Sequence, residues 1–361
     1  MAVEASYFLY QGGIIMNWMI QAPYFEITSR CNLRCRHCYN SSSSENTAQL
    51  TRETILTCLE FFSSKGVRDL SISGGEPLLH PDVVNILRDA DDRGLQTLLA
   101  TNGTLLSGEL VKRISPYVTY YQISVDGNKL AHEAVRGPGS YEAAFRGIHQ
   151  LCAEGLQKQT RLRMTISHSN CDSIPYLIEE AANLGLEAVH FSIVRSQGRA
   201  DENFEESFQL SDERLIALYH EVRELHRHYK GIIDISRLTV DGGECTLLKE
   251  EAAIRPRIDT NGDIYPCEGY LDPAFRLGTL NEGLPVVFSD ERILAYIDRL
   301  NQIRSQSTEC DNCYWGKFLC LRGCPAEAHR LGNDTGTDGL CGVRKAIWGG
   351  RIHAQGPSVH Q

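Results

Sequence analysis

The chain has 361 residues, 42% of them hydrophobic and 23% charged, a composition ordinary for a soluble globular protein with room for one large domain and a smaller one. A formal net charge of −10 argues against general nucleic-acid binding; no stretch has the apolar length of a membrane span, and the first twenty residues lack the basic start and clean apolar run of a signal peptide. Thirteen cysteines without a secretion signal point to a reducing cytoplasm and metal ligation rather than a disulfide framework.

Residues 1–20 read as an N-terminal extension. Strand and helix then alternate: a strand over Pro23–Thr28, and a helix over Thr51–Lys65 with Thr51 as N-cap and Leu50 stapled against Ile55. A strand follows at Asp69–Ser73, a helix at Pro81–Arg93 stopped by Gly94, and a strand at Leu95–Ala100. Next come a short helix (Ser107–Ile114), a strand (Thr119–Val125), a helix (Ser140–Glu154), a strand (Arg161–Ser167), a helix (Ile174–Leu184) and a sixth strand (Glu187–Val194). This repetition predicts a parallel sheet flanked by helices, open or curled into a barrel. Ser211–Tyr229 reads as an amphipathic helix, with an acidic surface loop before it. Beyond it the elements shorten and cysteines concentrate, which places a boundary near residue 235, a second domain over 235–348 and a frayed tail over 349–361.

Cys31, Cys35 and Cys38 are spaced C-x-x-x-C-x-x-C. Three thiolates so close can hold three corners of a [4Fe–4S] cluster and leave the fourth iron open to a small molecule. Zinc is the alternative; it takes four ligands, and His37, crowded between Cys35 and Cys38, is the nearby fourth. Cys58 and Cys152 fall on the apolar faces of helices and read as small buried hydrophobes; Cys171 lies in a polar loop and stays unassigned.

Active sites of parallel α/β folds form at the C-terminal ends of the strands. Those ends here carry Cys31, then Gly74-Gly75-Glu76-Pro77, Asn102-Gly103, Ser124-Val125-Asp126-Gly127, His168 and Asn170, and Arg195 and Gln197. Each group alone reads as a turn. Their convergence on one face makes them candidates for a site.

The cysteine triad followed by Gly74-Gly75-Glu76-Pro77, with Asn32, Leu33 and Tyr39 around the cysteines, resembles the radical S-adenosylmethionine (SAM) superfamily over about Pro23–Ala200. The resemblance implies a partial (β/α)6 barrel and a [4Fe–4S] cluster on Cys31, Cys35 and Cys38 whose open iron binds SAM. It implies that the backbone of Gly74, Gly75 and Glu76 receives the SAM amine, with Ser124, Asp126 and, more weakly, Asn102 near its polar groups. Reductive cleavage of SAM would then give a 5′-deoxyadenosyl radical that takes a hydrogen atom from substrate.

Cys245, Cys267, Cys310, Cys313, Cys320, Cys324 and Cys341 resemble in order the SPASM extension of radical SAM enzymes that mature peptides and proteins. That resemblance implies two auxiliary iron–sulfur clusters of the [4Fe–4S] type: an outer one on Cys310, Cys313, Cys320 and Cys341 and an inner one on Cys245, Cys267 and Cys324. Six residues separate Cys313 from Cys320, one more than is usual, and no further cysteine follows Cys245 closely, so the inner group lacks a fourth thiol. A structural zinc site is the alternative for these cysteines. Glu268 follows Cys267 where sulfatase maturases carry an acidic residue that deprotonates substrate, which makes it a candidate general base.

The expected function is modification of a ribosomal peptide or protein by crosslinking, oxidation or epimerisation. A flavodoxin or ferredoxin is the expected electron donor, and a separate protein is the candidate for recognising a leader peptide. The alternatives are a small-molecule enzyme of the haem-biosynthesis type and a non-catalytic iron–sulfur or metal-bound protein.

Overall fold

In the computed structural model, residues 17–236, 238, 245–248, 251–315, 320, 323–333 and 337–354 are described. The expected N-terminal extension up to residue 16 and the last seven residues of the expected tail lie outside them.

Strand β1 (Asn17–Ile20) precedes β2 (Tyr24–Glu26), and the βα alternation then follows. It runs α1 (Arg52–Ser64), β3 (Asp69–Ser73), α2 (Val83–Asp91), β4 (Gln96–Thr101), α3 (Gly108–Ile114) and β5 (Tyr120–Ser124). It continues through α4 (Lys129–Arg136), α5 (Ser140–Ala153), β6 (Thr160–Ile166), α6 (Ile174–Asn183) and β7 (Ala188–Ile193). After α7 (Phe204–Ser207) and α8 (Asp212–His228) comes β8 (Asp234–Ile235). The N-caps form where the sequence puts them: Thr51, Ser107 and Ser211 accept from the N–H groups of Thr54, Leu110 and Arg214. The expected helix at Pro81 starts two residues later, because Pro77–Leu79 forms a separate 3-10 turn ahead of it.

Strands β2 to β8 pair in chain order and all in parallel. Helices cover the outer face, as the partial (β/α)6 reading requires, and β8 adds one further parallel strand. The inner face is polar: along β6, half-buried Arg161, Arg163 and Thr165 alternate with buried Leu162, Met164 and Ile166.

The sheet does not stop at residue 235. After β9 (Glu251–Ile254), strand β10 (Arg257–Ile258) joins the far edge beside β2, in parallel, and β11 (Asp263–Tyr265) and β12 (Gly278–Thr279) extend it antiparallel. Ten strands thus form one sheet in the order β12-β11-β10-β2-β3-β4-β5-β6-β7-β8, with β12 and β8 as its two edges. Strand β1 pairs in parallel with β9, and Trp18 donates to Asp290 at 2.9 Å at the start of α10 (Asp290–Ser305), which follows α9 (Leu284–Val287). The apolar core also crosses: Phe62 of α1 packs edge-on against both Phe25 and Phe288. Helices α11 (Thr308–Asp311), α12 (Pro325–Arg330) and α13 (Cys341–Ala354) complete the C-terminal part. The stretch from Gly349, expected to fray, stays helical to Ala354, continuing a helix whose Val343, Ile347 and Trp348 are buried.

Candidate functional site

The loop of Cys31, Cys35 and Cys38 leaves β2 and is held from several sides. The glycines after β3 lie against the run before Cys31: the Gly75 N–H donates to the Thr28 carbonyl at 2.6 Å and that of Glu76 to the Arg30 carbonyl at 2.8 Å. A Cβ on Gly74 would come within 2.3 Å of the Thr28 oxygen, and one on Gly75 within 2.5 Å of the Arg30 oxygen. Only glycine permits this approach. From the other side, Arg199 donates to the Cys35 carbonyl at 2.9 Å and the Ser42 carbonyl at 2.6 Å, and the Arg199 N–H to the Cys38 carbonyl.

The Glu76 side chain reaches the end of β4. Fully buried, it accepts from Thr101 Oγ1 at 2.6 Å, the Asn102 N–H at 2.8 Å and the Leu78 N–H at 3.2 Å, and burial pushes its carboxyl up to about 7. Asn102 is both a turn residue and a loop contact. Its oxygen accepts from the Thr104 N–H, and its amide donates to Asn32 at 2.9 Å and reaches Cys31 Sγ at 3.9 Å.

Ser124 is half-buried at the end of β5. Asp126 is fully buried and fully engaged: Arg136 Nε lies 2.6 Å from Oδ2, His37 Nε2 lies 2.9 Å from the same oxygen, and the Thr165 N–H donates to Oδ1. Burial alone would raise its pKa, but Arg136 and His37 hold it well below the usual carboxylate range. Arg136 in turn points Nη1 at Cys35 Sγ, 4.0 Å away. Asp126 thus joins Arg136 to His37, a residue of the cysteine loop itself.

None of the thirteen cysteines is joined in a disulfide. Burial pushes Cys31 up to about 12 and Cys35 to about 11, so neither is a thiolate on its own near neutral pH. The surroundings nevertheless suit thiolate ligands. The Leu33 N–H faces Cys31 Sγ at 3.5 Å, beside the Asn102 amide, and a guanidinium faces Cys35. His37 Nδ1 is buried without a partner, a polar atom that a group bound at this loop would satisfy. Among the described residues no three His, Cys, Asp or Glu side chains are grouped to hold a single metal ion. In a cubane each thiolate meets a different iron, so such convergence is not required. The donor set fits an iron–sulfur cluster with N–H groups directed at its ligands.

The C-terminal cysteines fall into two groups. Cys310, Cys313, Cys320 and Cys341 line one pocket, together with Trp315 and Trp348, whose ring centroids lie 5.4 Å apart. Arg344 lies in the same pocket and is tied to Asp338, whose Oδ2 also accepts from the Cys324 N–H. Cys245, Cys267 and Cys324 form the other group, close enough that each thiolate would oppose ionisation of the next; burial first, then that repulsion, pushes Cys267 up to about 12. The Gly269 N–H faces Cys267 Sγ at 3.4 Å.

Glu268 directly follows Cys267 and is exposed. Burial raises its carboxyl against the pull of Arg163, Arg195 and Arg255.

Sequence reasoning missed Arg136, Arg199 and the pair Glu26–Arg257. The clearest signal was Arg136 at the end of a segment that starts with Asn128, a good N-cap.

Loops that follow the parallel strands β2, β3, β4 and β5, the first of them carrying three cysteines, thus come together in one site. Residues 25–173 match the radical SAM superfamily. It is 36% identical over 204 residues to the AdoMet-dependent heme synthase of Methanosarcina barkeri, covering 55% of this chain and 58% of that protein. It is 25% identical over 312 residues to the mycofactocin maturase MftC of Mycolicibacterium smegmatis, covering 84% of this chain and 77% of that one. The chain spans about half the length of the first curated relatives it matches. The fold is that of Streptococcus suis SuiB bound to S-adenosylmethionine, with a TM-score of 0.72 over 91% of this chain and 78% of SuiB at 16% identity. The radical SAM domain brings SAM and a [4Fe–4S] cluster as its cofactors.

Proposed function

We propose that this protein uses SAM-derived radical chemistry to modify a ribosomally made peptide or protein, by crosslinking, oxidation or epimerisation. When bound, the cluster and SAM supply a carbon radical able to take a hydrogen atom from an unactivated C–H bond. Cys31, Cys35 and Cys38 hold that cluster, Gly74 to Glu76 offer backbone carbonyls to the SAM amine, and Ser124 faces its polar groups. Asp126 and Asn102 position the loop. Cys310, Cys313, Cys320 and Cys341 hold an outer auxiliary cluster, and Cys245, Cys267 and Cys324 an inner one. Glu268 is the candidate base beside the inner group.

The observation that carries this reading is the second thiol group, Cys245, Cys267 and Cys324, with Glu268 directly beside it in the chain. The similarity to mycofactocin maturase runs through this cysteine-rich part, and SuiB has been seen bound to its precursor peptide SuiA. Residues 235–348 then act as the auxiliary-cluster domain. A flavodoxin or ferredoxin supplies the electron in the cytoplasm, and a separate protein presents the leader peptide.

The similarity to the heme synthase favours a second reading, a small-molecule substrate of tetrapyrrole type. The test is anaerobic reconstitution with iron and sulfide, reduction, addition of SAM, and chromatography for 5′-deoxyadenosine, with Cys35→Ala alongside. Product from wild type alone supports the radical chemistry. Stimulation by peptides rather than by porphyrins selects the first reading; absence of product under every condition sinks both.

A further inference from the structure

Three arginines, Arg163, Arg195 and Arg255, act on the single carboxylate of Glu268. Arg163 stands at the centre of β6 on the inner face of the sheet. Arg195 follows β7 and lays its guanidinium over Gly269, where an added Cβ would sit 3.0 Å from Nη1. Arg255 occupies the bend between β9 and β10, and its N–H donates to the Pro266 carbonyl at 3.2 Å, two residues from Glu268. Three separate elements thus bring three arginines around one glutamate.

The other nearby carboxylates are committed. Glu26 is bound at both oxygens by Arg257. Glu327 is shared, pairing with Arg330 and lying 3.9 Å from Arg195. Among the described residues Arg163 and Arg255 make no ion pair within 4 Å and no side-chain hydrogen bond. Arg195 and Arg255 are exposed and Arg163 is half-buried, so solvent reaches them. A half-buried guanidinium without a close anion is costly unless a ligand completes it.

We propose that Arg163, Arg195 and Arg255 bind a carboxylate of the substrate, either the C-terminal carboxylate or an acidic side chain of the peptide. Guanidinium groups suit this task because their planar fork matches a carboxylate with two hydrogen bonds. The inference rests on the peptide reading above and names the chemistry that the peptide must present.

The test uses the reconstituted holoenzyme with SAM and affinity selection from randomised hexapeptide libraries, read by mass spectrometry. One library has free C-termini and no Asp or Glu; a second is amidated and contains Asp and Glu; a third is amidated and contains Asn and Gln instead. At least tenfold enrichment of the first or the second over the third is expected, and which of the two wins identifies the source of the carboxylate. Arg255→Glu should abolish the preference and Arg255→Lys should keep most of it. Equal capture of all three libraries, no capture of any, or an unchanged preference in Arg255→Glu would overturn the proposal. So would loss of SAM binding in Arg163→Gln, which would assign that guanidinium to SAM's own carboxylate. Porphyrin carboxylates captured in place of every peptide would overturn the peptide as the source. Wild-type 5′-deoxyadenosine formation without peptide is measured separately, so a failure of the radical chemistry is told apart from a failure of carboxylate recognition.

Discussion

Arg257→Met tests how the cysteine loop is fastened to the C-terminal part. Arg257 on β10 is 5% exposed and Glu26 on β2 is 3% exposed. Nε and Nη2 of the arginine meet the two carboxylate oxygens at 2.8 and 2.7 Å. Tyr39 and Asn40, directly after Cys38, donate to the same carboxylate at 3.0 and 2.8 Å. Removing one member of a buried pair costs about 3–5 kcal/mol, because the other charge is left buried. The donors from Tyr39 and Asn40 remain on Glu26 and hold the loss near the lower end, about 3 kcal/mol. With a urea slope of about 3 kcal/mol per M, the unfolding midpoint of the anaerobically reconstituted protein should fall by about 1 M. Adding Glu26→Gln to Arg257→Met removes the stranded charge, so the double variant should be more stable than Arg257→Met alone while staying below wild type. A double variant less stable than the single one would refute the reasoning, since it would mean that Glu26 is not penalised by losing its partner.

Two further substitutions probe the loop itself. Gly75→Ala places a Cβ 2.5 Å from the Arg30 oxygen and 2.7 Å from its carbonyl carbon, backbone atoms that cannot rotate away; a loss of about 3 kcal/mol and reduced iron per chain after reconstitution are expected, read by urea unfolding and iron analysis. Arg136→Gln removes the guanidinium beside Cys35 and strands Asp126, so cluster retention against a chelator should fall about 10- to 100-fold. The reduction potential of any retained cluster should move to more negative values, because a buried positive charge no longer favours the added electron; electron paramagnetic resonance at controlled potentials reads it.

The chemistry-bearing loops were legible in the sequence because their signals are local. Cysteine spacing, paired glycines and N-cap residues act over three to five positions, and Thr51, Ser107 and Ser211 cap the helices they announce. Helix α4 was missed for a physical reason. Its buried face is His132, Val135 and Arg136, so the hydrophobic periodicity that marks other helices is replaced by a polar face turned toward Asp126 and the cysteine loop. The polar residues that hold the site are buried by partners far away in sequence, and composition gives no sign of such partners.

Long-range pairing was the other thing the sequence kept hidden. A shift toward short elements and many cysteines after residue 235 reads as a domain boundary, but strand register shows how the chain crosses it. Arg257 lies beside Tyr24 and Ile258 beside Phe25, while β1 lies along β9. The strand that launches the Cys31 loop therefore has β3, which leads to the glycine loop, on one side and β10 on the other, and β10 carries on its far side the antiparallel β11 that runs into Cys267 and Glu268. One sheet thus carries the strands before both thiol groups, and the Glu26–Arg257 pair ties β2 to β10. The spacing between the Cys31 loop and the second thiol group is thus set by hydrogen-bonded strands rather than by a linker. That is what a site needs if a substrate fixed by one part must meet a radical formed at the other.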